Sequence, residues 1–98
     1  MNITETREGS KLTVALEGRL ETTTAPDFEE VIKTKLDGVT ELVIDLSQIE
    51  YVSSAGLRVI LSAQKKMNIQ GSMKVTGVNE IIGEIFDVTG FSEILTIE

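Results

Sequence analysis

The chain has 98 residues, 41% hydrophobic and 26% charged, a size and balance that suit one globular core and exclude the charge-rich, apolar-poor composition of disorder. It contains no cysteine and no histidine, which removes disulfides, thiolate nucleophiles, imidazole bases and the usual zinc ligands. A net charge of −7 argues against general affinity for nucleic acid, where lysine and arginine supply most of the binding.

The longest apolar runs, such as Leu42-Val43-Ile44, fall far short of the ~20 residues that span a bilayer. The first residues (Asn2, Thr4, Glu5, Thr6, Arg7, Glu8) lack the apolar core of a signal peptide. One domain over residues 1–98 is expected, cytoplasmic, without membrane association, metal or cofactor.

In chain order, residues 2–7 and Lys11 to Gly18 read as two strands joined at Glu8-Gly9-Ser10, an antiparallel hairpin. The second alternates Leu12, Val14 and Leu16 against Thr13, Ala15 and Glu17. Thr24 is expected to cap a first helix, with Pro26 in its first turn, Asp27 completing a capping pattern, and Phe28, Val31, Ile32 and Leu36 on its apolar face. Asp37-Gly38 ends it. Glu41 to Leu46, rich in β-branched residues, reads as a central strand covered on both faces. Ser47 to Ser54 is expected to be a loop.

A second helix runs from Ser53 or Ser54 to about Asn68, with Leu57, Ile60, Leu61 and Met67 inward and Arg58, Ser62, Lys65 and Lys66 outward. Gly71 stops it, and Met73 to Thr76 gives another short strand. Asn79 caps a third helix with Ile81, Ile82, Ile85, Phe86 and Val88 as its apolar positions and Gly90 as its C-terminal signal. Ile94 to Ile97 suits a last strand. The order ββαβαβαβ predicts an α/β fold: a mixed, mostly parallel sheet with an N-terminal antiparallel hairpin and three main packing helices.

Charge is unevenly spread. Tyr51 to Asn79 holds Arg58, Lys65, Lys66 and Lys74 and no acidic residue, leaving −11 on the rest of the chain. Such an island is either the solvated face of a helix or a place that handles phosphate.

The informative stretch is Asp45-Leu46-Ser47-Gln48-Ile49-Glu50-Tyr51-Val52-Ser53-Ser54-Ala55-Gly56-Leu57, a strand end followed by a Ser-Ser-Ala-Gly helix start. It resembles the signature of the STAS domain, named for sulfate transporters and anti-sigma factor antagonists. Glu17-Gly18-Arg19-Leu20-Glu21 resembles the same family's motif after the second strand, so the likeness extends across the chain. In the anti-sigma factor antagonist branch, the resemblance implies a bacterial regulator of transcription. Its serine before Ala/Ser-Gly-Leu is phosphorylated by the partner, an anti-sigma factor with serine kinase activity. A PP2C-like phosphatase reverses the modification. That serine is Ser54 here, and Ser53, where many members have aspartate, is the alternative.

Physical chemistry agrees with Ser54, because a helix start offers unpaired N–H groups and a positive dipole end to an added phosphate. Arg58 lies one helical turn on. The plainer reading makes Ser53 and Ser54 caps and Gly56 a packing residue. A binding surface is expected at Arg19, Glu21, Thr22, Thr23, Ser53, Ser54, Gly56 and Arg58, near strand carboxyl ends. Three other readings stand beside it. A serine hydrolase lacks a histidine base and a nucleophile elbow. A nucleotide-binding STAS module lacks a phosphate loop. A STAS scaffold or phosphoswitch in another pathway shares every feature above. The isolated chain is expected to be monomeric, since Lys74 and Glu93 discourage pairing at sheet edges.

Overall fold

The computed structural model describes residues 1–98. β1 (Asn2–Glu8) and β2 (Lys11–Leu20) form the antiparallel hairpin, followed by α1 (Ala25–Thr34), β3 (Glu41–Val52), α2 (Ser54–Gln70), β4 (Ser72–Thr76), α3 (Glu80–Thr89) and α4 (Phe91–Ile94). The sheet order is β1-β2-β3-β4, with β2, β3 and β4 mutually parallel. The two crossovers through α1 and α2 step in the same direction across the sheet. Right-handed connections therefore place both helices on one face.

That face carries Leu12, Val14 and Leu16 of β2, Leu42, Ile44 and Leu46 of β3, and Met73 and Val75 of β4, all buried. They join Phe28, Ile32, Ile60, Met67, Ile82 and Phe86 from the helices in one cluster of 25 buried residues. The opposite face shows rows set by the register, such as Thr4, Ala15, Asp45 and Thr76. β3 is thus not enclosed on both sides as its composition suggests: Val43 is buried, but Glu41 and Asp45 beside it are half-buried.

β3 also runs on through the stretch expected to be a loop. Ala15 and Glu17 of β2 oppose Asp45 and Gln48, and Gly18 and Arg19 oppose Ile49 and Tyr51, so β3 holds an extra residue at each of two bulges. Each bulge resets the pleat. Leu46, Ile49 and Val52, three residues apart, all reach the core as a result, and this spacing hides the strand from a reading based on strict alternation.

Thr24 does not cap α1 through its side chain. Lys66 Nζ donates to Ile32 O at 3.2 Å, and Gln70 Nε2 donates to Leu36 O and Val39 O at 2.7 and 2.6 Å, so the second half of α2 satisfies carbonyls at and after the end of α1. In α2, Leu61 is only half-buried, and Val59, Ala63 and Gln64 take buried positions beside Leu57, Ile60 and Met67.

Asn79 caps α3 by accepting from Ile82 N at 2.8 Å, and its amide donates to Ile49 O at 3.1 Å, fastening α3 to the extension of β3. Ile81 and Val88, expected among the apolar positions of α3, are 60% and 84% exposed. Gly90, with φ 80°, ends α3 in the left-handed conformation. A helical turn follows at once, so the expected last strand is reduced to one parallel bridge between Ile97 and Val75. The order is therefore ββαβαβαα.

The N-cap of α3 and the glycine in its interior should respond oppositely to alanine. Asn79→Ala removes the cap and the tie to Ile49 and should lower stability by about 0.5–2 kcal/mol. Gly83→Ala should raise it by about 0.5–1 kcal/mol, since an added Cβ meets nothing closer than Val78 Cγ1 at 3.8 Å. Urea midpoints of the two variants should fall on opposite sides of wild type.

Candidate functional site

The carboxyl ends of β2 and β3 and the start of α2 meet at one pole of the molecule. Leu20 pairs with Val52 at the last rung of the β2–β3 ladder, and Ser53 N donates to Leu20 O at 2.8 Å. The chain then enters α2. Ser53, in extended conformation, is the N-cap, and its Oγ accepts from Gly56 N across 3.4 Å, a long and weak bond.

Gly56 is buried, and its closeness to Leu20 decides how α2 approaches the sheet. A Cβ at this position would lie 2.6 Å from Leu20 Cγ and 3.1 Å from Leu20 O. Glycine is required for space rather than for dihedral freedom. Its contribution to the expected binding surface is positional, because no side chain and no exposed backbone are presented there.

Ser53 and Ser54, the two candidates in the sequence, have different surroundings in the fold. Ser53 is half-buried and engaged as cap, whereas Ser54 is exposed and its hydroxyl makes no intramolecular hydrogen bond. Ser54 sits at the first position of α2, where helix N–H groups lack intrahelical partners.

The turn between β2 and α1 forms the neighbouring wall. Instead of capping α1, Thr24 closes this turn, with Oγ1 donating to Arg19 O at 2.7 Å and accepting from Glu21 N at 2.9 Å. Thr22 and Thr23 at its tip are exposed. Arg19 Nε reaches Glu21 Oε2 at 2.7 Å, and the guanidinium lies over the ring of Tyr51 at 4.9 Å from its centroid. The pair is solvent-exposed, so it orients side chains more than it stabilises the fold. Tyr51 is absent from the residues expected from sequence. It stands opposite Arg19 only because β3 continues past Leu46, and recognising the bulged strand is the one signal that could have revealed it.

Arg58 and Thr22 line a shallow cleft of about 200 Å³ between the starts of α1 and α2, with Ala25, Pro26, Glu29, Ala55 and Val59. The ion pairs of the chain are Arg19–Glu21, Lys33–Glu29 and Lys74–Glu98, so Arg58 enters none of them. The basic island does not gather into a phosphate pocket. Lys66 is spent on α1 and Lys74 on Glu98, while Arg58 and Lys65 remain exposed on α2. A larger hollow of about 540 Å³ opens on the other face, along Thr4, Ala15 and Asp45. No cluster of three or more carboxylates could hold a metal ion. No helix is long and apolar enough to cross a membrane.

This arrangement, a strand end delivering an exposed serine to a helix start beside a threonine-rich turn, coincides with a family assignment. The STAS domain family matches residues 2–98, and the chain belongs to it. It is similar to the anti-sigma-B factor antagonist of Staphylococcus aureus, at 28% identity over 97 residues, which cover 97% of this chain and 90% of the relative. An anti-sigma factor antagonist from Mycobacterium paratuberculosis superposes with a TM-score of 0.87 at 23% identity, covering 98% of this chain and 83% of that one. The unphosphorylated form of the anti-sigma factor antagonist SpoIIAA gives a TM-score of 0.79 at 13% identity, over 99% of this chain and 87% of the other. Its phosphorylated form gives 0.78 at the same identity, over 99% and 91%. At these identities the superpositions speak for the fold.

Gly56→Ala should cost about 1–3 kcal/mol, the usual penalty for overpacking, and should shift the amide resonances of residues 53–57 and Leu20. Unfolding titrations paired with an amide correlation spectrum check this. An unchanged midpoint would mean that Leu20 yields freely and does not set the approach of α2.

Proposed function

We propose that this chain is an anti-sigma factor antagonist that acts by binding, not by catalysis, and that phosphorylation of Ser54 switches it off. Its partner in this reading is an anti-sigma factor with serine kinase activity. The kinase transfers the γ-phosphoryl group of ATP to Ser54 Oγ, the hydroxyl proton is lost, and ADP leaves. A PP2C-like phosphatase hydrolyses the ester and restores the binding form. The protein works where such bacterial circuits work, in the cytoplasm.

The observation that carries the proposal is the contrast between the two serines. Ser54 offers an exposed hydroxyl free of internal hydrogen bonds at a helix start, while Ser53 is occupied as the cap. A phosphate of charge near −2 at that position meets helix N–H groups and the positive end of the dipole, so α2 tolerates it. Inside a packed interface the same charge has to be desolvated, and that cost opposes binding. Arg19, Glu21, Thr22, Thr23, Ser53, Ser54 and Arg58 form the contacting surface in this reading, Tyr51 joins them beside Arg19, and Gly56 holds the surface in place. The name of the S. aureus relative, an anti-sigma-B factor antagonist, supports the antagonist role.

Incubation with the cognate kinase and ATP should add one phosphate, located on Ser54 by mass spectrometry, and Ser54→Ala should abolish it. Ser53→Ala should only slow it, at the cost of a weak cap. Ser54→Asp should keep the circular dichroism of wild type yet bind the kinase about 30- to several-thousand-fold more weakly, equivalent to roughly 2–5 kcal/mol. Phosphate on Ser53 or a threonine, or wild-type affinity for Ser54→Asp, would overturn the mechanism.

A further inference from the structure

The last quarter of the chain differs in character from the Ser54 pole. From Val75 to Glu98 it holds five acidic residues, Glu80, Glu84, Asp87, Glu93 and Glu98, and no basic one. α3 buries Ile82 and Phe86 against the sheet and turns a second apolar row outward. Ile81, Ile85 and Val88 stand at i, i+4 and i+7 and so share one side of the helix. Ile81 is 60% exposed, Val88 is 84% exposed and Ile85 is half-buried. Ile94, 50% exposed, continues beyond them on α4, which the stacked rings of Phe86 and Phe91 hold to the end of α3.

A row of carboxylates runs beside the apolar row at the same spacing, one residue earlier: Glu80, Glu84 and Asp87. All three are exposed, and none is in an ion pair. Ile85 packs partly against the core and Asp87 accepts from the Ser92 hydroxyl, but Ile81, Val88, Glu80 and Glu84 have no such role in the isolated fold. The exposed aliphatic groups gain no burial, and like charges at i, i+4 repel along the helix.

We infer that the outer face of α3 is a second docking surface, whose occupant is a cationic amphipathic helix from another protein. The apolar row spans about 10 Å, two helical turns, and presents the ridge into which a partner helix packs. The parallel carboxylate row selects lysine or arginine on the partner's flank. A second copy of this chain is disfavoured, because a two-fold contact through α3 sets the same carboxylates against one another. The surface shares no residue with the Ser54 pole, so its occupancy is independent of the phosphoswitch.

A test is titration of the full chain with a roughly 14-residue leucine–lysine peptide patterned as an amphipathic helix of about four turns. Amide shifts should gather at Ile81, Glu84, Ile85, Val88 and Ile94. The double variant Ile81→Ser/Val88→Ser, altered only at exposed positions, should bind about tenfold more weakly or worse. A leucine–glutamate peptide of the same pattern should not bind, and Ser54→Asp should bind the cationic peptide as wild type does. Shifts at the β2–α1 turn or Ser54, or full affinity in the double variant, would overturn the inference. So would a dimer in sedimentation that the double variant abolishes, which would assign the face to a second copy. Failure here leaves the Ser54 mechanism standing, and failure of phosphorylation at Ser54 leaves this face unaffected.

Discussion

The close approach of Gly56 to Leu20 is the contact on which the geometry of the Ser54 pole depends. Leu20 ends β2, pairs with Val52 of β3, accepts from Ser53 N and fills the space where a Cβ of residue 56 would stand. Three elements meet at this one residue, two through its backbone and one against its side chain. The helix start can therefore sit directly over the strand ends, with the cap turned inward at Ser53 and the next hydroxyl turned out at Ser54. A larger residue at 56 would meet Leu20 at 2.6 Å, so either Leu20 or the start of α2 has to shift.

The two bulges in β3 support the same pole from beneath. By resetting the pleat, they let Leu46, Ile49 and Val52 remain in the core while the strand extends to the entrance of α2. The extension brings Tyr51 across from Arg19 and gives Asn79 a carbonyl, that of Ile49, to hold. The region is thus built of paired strand rather than loop. A surface so constrained suits the proposed switch by added charge, which would need no rearrangement of the backbone.

Charge divides the remaining surface into two kinds. The exposed side of α2 keeps Arg58 and Lys65, whereas α3 and the residues after it are wholly acidic and expose isoleucine and valine. Apolar groups stand in water at Ile81 and Val88, because α3 buries Ile82 and Phe86 and packs Ile85 only partly against the core. A helix with one face in the core and a second apolar row outside is shaped for more than its own fold.

Local pattern alone was enough for much of this protein. Alternation in Lys11 to Gly18, the turn at Gly9, most of the apolar spacing of α1 and α2, the Asn79 cap and the Gly90 terminus each depend on neighbours within a few residues, so the element order as far as α3 and the STAS likeness were legible in the chain. Tertiary structure decided what depends on distant partners. Thr24 resembles a cap, yet its hydroxyl is taken by Arg19 O and Glu21 N. Residues 47 to 52 resemble a loop, yet the register with β2 makes them strand. Ile94 to Ile97 resembles a strand, yet the turn at Gly90 leaves room for a single bridge. Ser53 and Ser54 are indistinguishable by composition, and only the direction in which α2 leaves the sheet makes one a cap and the other a free hydroxyl. Hydrogen-bond competition and burial are properties of the whole fold, and a one-dimensional pattern carries neither.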